Sequence, residues 1–397
     1  MKTNPIPSTP WGPFTPGKRA PGANAPTHVS LFAGAGGTDI GIKYSGFRTV
    51  FANDFDRFAA LTFRHNLDPN SEYFQEGDVT QIDFRSLKLG HIDLLTGGFP
   101  CQPFSNAGSR KGTNDARGKL YQSVIDAVKV LKPSFILLEN VRGITTSMHE
   151  GKRVVDIIMD TLSKLGYHVS FKLINSSHYN VGQRRLRLFI AASKHRTFTF
   201  PQGSEPSKNL TMGEILSVKA AASTPNINDR VTLSPQTESL IKLVPIGGSW
   251  KDVAEKHPEK LPPRFKKILA NMKRYHAPKF YRKFAKGDIS GTMTASFTPE
   301  NSCIWNPVLN QVLSVRDCAR IQSFPDWFEF LGPNHRTKHK QIGNAIPPRL
   351  AFELGLAIKA HISKSGKVSS EKLIPYDSSD KSAFQVNQFT YEYPSRD

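Results

Sequence analysis

Two spacings of apolar residues alternate along the first half of the chain. Short unbroken apolar runs that stop at glycine or at a polar side chain read as buried strands. They are HVSLFAG (28–34), FRTVFAND (47–54), HIDLLTGG (91–98), SFILLEN (134–140), YHVSFKLIN (167–175) and RLRLFIAAS (185–193). Between them lie stretches whose apolar residues recur every three or four positions, the spacing of one helix face. These are TDIGIKYSG (38–46), RFAALTFRHN (57–66), YQSVIDAVKVLKP (121–133) and RVVDIIMDTLSKLG (153–166), the last two stopped by Pro133 and Gly166. Repeated strand–helix units predict an α/β fold with a doubly wound sheet, whose ligands bind at the carboxyl ends of the strands.

After about residue 200 the alternation fades. The stretch 201–311 is rich in Pro, Ser, Lys and Gly, with irregular short strands such as ISGTMTASF (289–297). Helical spacing returns at LSVRDCARIQSF (313–324) and RLAFELGLAIKAHI (349–362). The expected organisation is a Pro-rich disordered arm (1–28), a first domain (29–205), a smaller irregular domain (206–330), a segment returning to the first (331–362) and a polar disordered tail (363–397). The arm has no hydrophobic segment and is not read as a secretory signal.

Charge then points to a partner. The chain of 397 residues carries a formal net charge of +20, the balance of a protein that meets a polyanion, with nucleic acid ahead of a membrane surface. Residues 251–287 hold 12 Lys and Arg against 3 acidic residues, interleaved with Tyr275, Phe280, Tyr281 and Phe284. Clustered cations with aromatics fit nucleic-acid backbone contact better than an evenly solvated face. No apolar run reaches the length of a membrane span. Three cysteines without metal-ligand spacing imply neither a disulfide framework nor a metal site, and a reducing, cytoplasmic home.

Candidate chemistry falls at the predicted strand ends. In LFAGAGGTDIG the glycines miss the G-x-G-x-x-G spacing, since the required third positions are Asp39 and Thr38. A pyrophosphate cradle is therefore not expected, although so bare a turn lets a ligand approach the backbone, and an ordinary tight turn would look the same. Asp54 follows Gly34 by 20 residues, where an acid can accept ribose hydroxyls, with Phe55 beside it to face an adenine and Asp78 at the next turn. An adenosine ligand without a diphosphate points to S-adenosyl-L-methionine. Cys101, in GGFPCQPFS, sits on a stiff loop past a strand end. That loop alone is equally compatible with a packed thiol. A thiolate there could add to C6 of a cytosine and make C5 nucleophilic. Glu139 in LLENVRG and the pair Arg185 and Arg187, which alternation puts on one strand face, are the acid and cations such an addition needs at N3 and O2. Singly, Glu139 also fits a structural acid paired with Arg142, and the arginines a solvated strand edge.

The motifs FAGAGG, GFPCQPFSNAG, ENVRG, GQRRLR, RDCARIQSFPD and QIGNAIPP occur in this order. The chain thereby resembles the DNA (cytosine-5) methyltransferases of the prokaryotic restriction–modification type, over most of residues 29–350. The resemblance implies a Rossmann-like S-adenosylmethionine-dependent methyltransferase sheet with a second, smaller target-recognition domain. It implies Cys101 as nucleophile, with Glu139, Arg185 and Arg187 gripping the target base. Phe32, Gly34, Gly36, Gly37, Asp54, Phe55, Asp78, Val79, Pro100, Leu120, Asn344 and Ile346 would line the cofactor. Many members carry Glu where this chain has Asp54. The segment 105–118 resembles a mobile loop closing over DNA, with Arg117 near its end. The resemblance further implies a monomeric enzyme without a metal, acting on double-stranded DNA and linked in function to a cognate restriction endonuclease. A tRNA cytosine-5 methyltransferase and an inactive DNA-binding module are the alternatives. The long basic insertion argues against the first, and intact Cys101, Glu139 and Arg187 against the second.

Overall fold

The computed structural model describes residues 21–99, 118–149, 151–271, 280–298, 305–363, 373–375 and 390–394. The chain divides into two compact units, with Ser176–Arg185 and Glu205–Arg349 in one and residues 21–175, 186–204 and those from Leu350 onward in the other. This division cuts the chain differently from the expected boundaries. Residues 176–185 leave the strand-rich part, and the return comes at Leu350 rather than at 331.

The larger unit is the expected α/β sheet. Its elements run β1 (Thr27–Leu31), α1 (Gly37–Tyr44), β2 (Arg48–Asp54), α2 (Arg57–Leu67), β3 (Phe74–Glu76), β4 (Leu94–Gly97), α3 (Gly118–Leu131), β5 (Phe135–Val141), α4 (Val154–Lys164), β6 (His168–Asn175) and β7 (Leu186–Ser193). Two late strands, β8 (Leu373–Pro375) and β9 (Thr390–Glu392), complete a nine-stranded sheet of order β8-β9-β6-β7-β5-β4-β1-β2-β3. Strands β3, β2, β1, β4 and β5 are mutually parallel, whereas β7 runs antiparallel to both β5 and β6. Apolar strand residues such as Val29, Leu95, Ile136 and Ile190 join Val128, Ile158 and Leu162 of the helices in one buried core. β1 has β2 on one side and β4 on the other, so the connections diverge there and leave a crevice at its carboxyl end.

The polar tail departs from expectation. Two of its segments are strands: β9 pairs antiparallel with β6, and Tyr391, almost fully buried, stacks on Phe171 with ring centroids 5.4 Å apart. Thr197 donates to Glu392, and Tyr393 N–H donates to Val169 O at 2.8 Å. The tail is polar on average, but one aromatic residue and a free sheet edge are enough to dock it, because an uncovered edge leaves backbone groups unpaired.

The smaller unit is irregular, with helices α5 (Pro235–Leu243), α6 (Trp250–Lys256) and α7 (Pro263–Ala270) gathered on their own core around Trp250, Phe265 and Tyr281. The expected strand over 289–297 is not one. Only Ser290 bridges, to Gln183, because this segment's backbone bonds go to residues 183 and 184 instead of a ladder. The helix expected at 313–324 is α8 (Val315–Ile321), started by a capping box in which Ser314 and Asp317 satisfy each other's backbone N–H groups. Inside it, Arg316 donates to the carbonyls of Pro225, Pro325 and Phe328, and Arg320 is ion-paired with Asp326. The arginines of RDCARIQSFPD are thus structural. Helix α9 (His335–Asn344) follows in this unit, and α10 (Pro348–Ile362) carries the chain back to the sheet. Among the described residues no helix is long and apolar enough to cross a membrane.

Replacing Tyr391 by Ala should destabilise the sheet unit by about 3 kcal/mol, the usual cost of truncating a buried aromatic ring. Urea denaturation followed by far-UV circular dichroism measures this, and an unchanged midpoint would show that the tail does not support the sheet.

Candidate active site

The turn after β1 is built for close approach. Phe32, Gly34 and Gly36 all have positive φ, at 54°, 58° and 92°. A Cβ on Gly36 would stand 2.4 Å from Leu67 Cδ1, so neither its conformation nor its surroundings accept a side chain. Gly37 is the first residue of α1 and is buried, and Phe32 is half-buried against the core.

Asp54, at the end of β2, ties this turn to the next. Its Oδ2 accepts from Gly34 N–H at 2.8 Å and its Oδ1 from Asp56 N–H at 2.8 Å. Burial holds its carboxyl above the usual carboxylate range, against the pull of those backbone bonds. Three backbone N–H groups, of Gly34, Phe55 and Asp56, act on a carboxylate with about four acceptor sites, so acceptor capacity for a hydroxyl remains. Phe55 is 71% exposed, the most exposed of the large apolar side chains among the described residues, and offers a bare ring face beside Asp54. Asp78 caps the short 3-10 turn Val79–Gln81 by accepting from Thr80 N–H at 2.9 Å, while Val79 is buried beneath it. Leu120, on α3, is half-buried against the same core. The cofactor-lining residues expected from β1, β2 and β3 therefore share the carboxyl ends of adjacent parallel strands.

A second cluster forms where β4, β5 and β7 meet. Arg187 Nε lies 2.9 Å from Glu139 Oε1, with the two side chains only 15% and 14% exposed. The register pairs Glu139 with Phe189 and Val141 with Arg187, so the ion pair is the diagonal contact of an antiparallel ladder. Burial lowers the pKa of Arg187, with Glu139 opposing that shift. Gly98 abuts the pair, since a Cβ there would stand 3.4 Å from Glu139 Oε2. Asn140, which is buried, donates from Nδ2 to the carbonyl of Phe99 at 3.0 Å. Pro100 and Cys101 follow directly in the chain and lie outside the described residues, as does 105–117.

Arg185 does not share a strand face with Arg187. Strand β7 begins at Leu186, and Arg185 belongs to the smaller unit. There it is 2% exposed and donates to Met293 O at 3.0 Å and Gly343 O at 2.8 Å. Gln183 Nε2 donates to Gln322 Oε1, and Gln322 Nε2 in turn donates to Ile342 O and Ala345 O, each at 2.7 Å. Asn344 ends α9 and is exposed, and Ile346 is half-buried two residues later, both in this smaller unit. Sequence reasoning passed over Gln183, Gln322, Asn53 and Asn140. For Gln322, Asn53 and Asn140 the signal was an amide in or at the end of an apolar stretch, which has to find partners once buried, whereas Gln183, between a glycine and two arginines, gave none. Among the described residues no group of three or more His, Cys, Asp or Glu could hold a metal.

Beneath the glycine turn, Asp39 is 2% exposed, and burial raises its carboxyl to about 7. In an unfolded chain the same group ionises near pH 4. Between those values the native state holds a proton that the unfolded state has lost, so stability falls as pH rises from about 4 to about 7. Asp39→Asn removes that dependence. Its melting temperature relative to the parent should climb across this window, by the equivalent of a few kcal/mol at about 1.4 kcal/mol per pH unit. Calorimetry at pH 4 and pH 8 that gave the same difference would refute it.

Comparison with known proteins bears on the whole arrangement. Residues 27–360 match the family described as C-5 cytosine-specific DNA methylase. The type II methyltransferase M.PspPI of Psychrobacter sp. (strain TA137) is 35% identical, across 83% of this chain and 78% of its own length. The type II methyltransferase M.NgoFVII of Neisseria gonorrhoeae is 33% identical, across 85% and 87%. Among solved structures, the Entamoeba histolytica methyltransferase EhMeth superposes with a TM-score of 0.57 at 16% identity, covering 85% of this chain and 98% of that one, a likeness of fold. A family match that spans both strand-end clusters, with relatives above 30% identity over most of the chain, identifies this protein as a member of the C-5 cytosine-specific DNA methylases.

Proposed function

We propose that this chain is the modification enzyme of a type II restriction–modification system. It transfers the methyl group of S-adenosyl-L-methionine to C5 of one cytosine in a short double-stranded DNA sequence. The Glu139–Arg187 pair carries this reading. It sets an acid and a cation at one strand end, beside the segment that leads into Pro100 and Cys101.

Cytosine C5 is a weak nucleophile, and the proposed residues remedy that. The Cys101 thiolate adds to C6, and the electron pair displaced from the C5–C6 bond makes C5 enamine-like. Glu139, hydrogen-bonded at N3, offsets the charge that develops in the ring, and Arg187 does the same at O2. Bound S-adenosyl-L-methionine supplies an electrophilic methyl group. Once C5 has bonded that methyl carbon, a base such as water takes the C5 proton, and the electron pair left behind re-forms the C5–C6 double bond as Cys101 leaves as a thiolate. None of this can happen inside a base stack, so the cytosine is drawn out of the duplex. The positive-φ turn, the two oxygens of Asp54 and the bare ring of Phe55 fit the adenosine part of the cofactor. We assign Arg185 to holding its own unit together, since both its Nη groups already serve carbonyls there. The smaller unit is proposed to choose the DNA sequence, and the cognate endonuclease is a partner in function only.

Base-resolution methylation sequencing of DNA from a methylation-free bacterial host tests the reading. The parent chain should mark C5 at one short recurring sequence and Cys101→Ala should leave that sequence unmarked. Unmodified DNA with soluble parent protein present would overturn it. On α7, Arg264, Lys266 and Lys267 are exposed. Changing all three to Gln should flatten the salt dependence of DNA binding by about 0.9 in the log–log slope for each phosphate that is no longer neutralised. An unaltered slope would mean that this helix faces away from DNA.

A further inference from the structure

Two asparagines stand next to the two acids of the site, and each is buried: Asn53 before Asp54, and Asn140 after Glu139. We infer that both are positioning residues, each using its side-chain amide to extend a parallel ladder past its last backbone rung and so fix the segment that carries the next functional group. The inference rests on the methyltransferase reading above and adds two residues to it.

The β2–β3 ladder closes at Asp54 and Glu76. Beyond that rung the chain turns through Gly77, at φ 149°, toward Asp78. Asn53 is 1% exposed and its Nδ2 donates to Gln75 O at 2.9 Å and to Gly77 O at 3.0 Å. Gly77 N–H donates in return to Asp54 O at 3.0 Å, so the turn is held from both sides. The β4–β5 ladder closes in the same way at Gly97 and Leu138. Past it, Asn140 Nδ2 donates to Phe99 O at 3.0 Å, while its Oδ1 accepts from Val141 N–H at 2.8 Å. That second bond fixes which end of the amide faces Phe99. Phe99 is two residues before Cys101.

The chemistry explains the residue type. The carbonyls of Phe99, buried beyond its ladder, and of Gly77, half-buried in its turn, each take a side-chain donor, and an aspartate of equal size would present only acceptors. The location explains why the effect reaches function. Asn53 governs the turn bearing Asp78 on the cofactor side, whereas Asn140 governs the exit of the strand that abuts Glu139 and leads to the nucleophile. Displacement of a reacting group by about 1 Å can cost about 100-fold in rate. The two asparagines should therefore fail in different ways.

The test is steady-state methyl transfer by the full chain on DNA that carries its recognition sequence, with Asn53→Asp and Asn140→Asp beside the parent. Active-site concentration is taken from the single-turnover amplitude. Asn140→Asp should lower kcat by about 10- to 100-fold with KM for S-adenosyl-L-methionine nearly unchanged. Asn53→Asp should raise that KM by about 10-fold with kcat at saturating cofactor nearly unchanged. Asn→Ser at each site, which keeps a shorter donor, should fall between Asp and the parent, and it replaces any Asp variant that does not accumulate as folded protein. A loss of active fraction alone, or the same split at both positions, would mean that the asparagines merely stabilise the fold and would overturn the inference. An inactive parent would instead sink the methyltransferase reading itself.

Discussion

A carboxylate and a guanidinium 2.9 Å apart, both largely shielded from water, constrain how the strands of the sheet unit can run. Neither Glu139 nor Arg187 could be held so far from solvent alone, because an uncompensated buried charge costs about 3–5 kcal/mol. The pair therefore demands that β7 lie beside β5 in one direction only. Arg187 is near the start of β7, while Glu139 is near the end of β5. An antiparallel neighbour brings those two ends together, and a parallel one would part them by the length of the strand. The reversal of β7 beside β5 is what lets this acid and cation coincide.

A comparable constraint organises the smaller unit through hydrogen bonds to backbone carbonyls. Gln183, Arg185 and Gln322 are buried: Gln183 donates to Gln322, and Arg185 and Gln322 serve the carbonyls of Met293, Ile342, Gly343 and Ala345. Four stretches far apart in the chain thus meet in a single hydrogen-bonded knot. Its closeness is visible at Gly343, where a Cβ would stand 2.3 Å from the backbone of Thr294 and Ala295. The segment 289–297 is drawn out of strand pairing by the same network, since its backbone groups find partners there. Two of the ordered motifs, GQRR and RDCARIQSF, prove to be in large part the fastening of this unit.

Much was legible before any tertiary contact was known. The alternation of apolar runs and helical spacing determines the strand–helix units, because each pattern buries one face and admits one periodicity. The glycines of the first turn follow from steric bareness, and Asp54 and Glu139 from being acids at the ends of apolar strands. The ordered motifs, taken together, indicated a cytosine-5 methyltransferase, and the family match bears that out.

Other features needed the fold. Alternation cannot state a strand's direction, so nothing local told Arg187 from Arg185. Yet one pairs with Glu139 in the sheet and the other is buried in the smaller unit. Polarity cannot announce an edge, so the tail looked disordered although Tyr391 docks on Phe171. An apolar run does not reveal where its ladder will end, so the amides of Asn53 and Asn140 had no visible task. Periodicity reports only on neighbours within a turn or two. Direction, register and the last rung of a ladder are set by partners tens to hundreds of residues away, and only their meeting in space decides them.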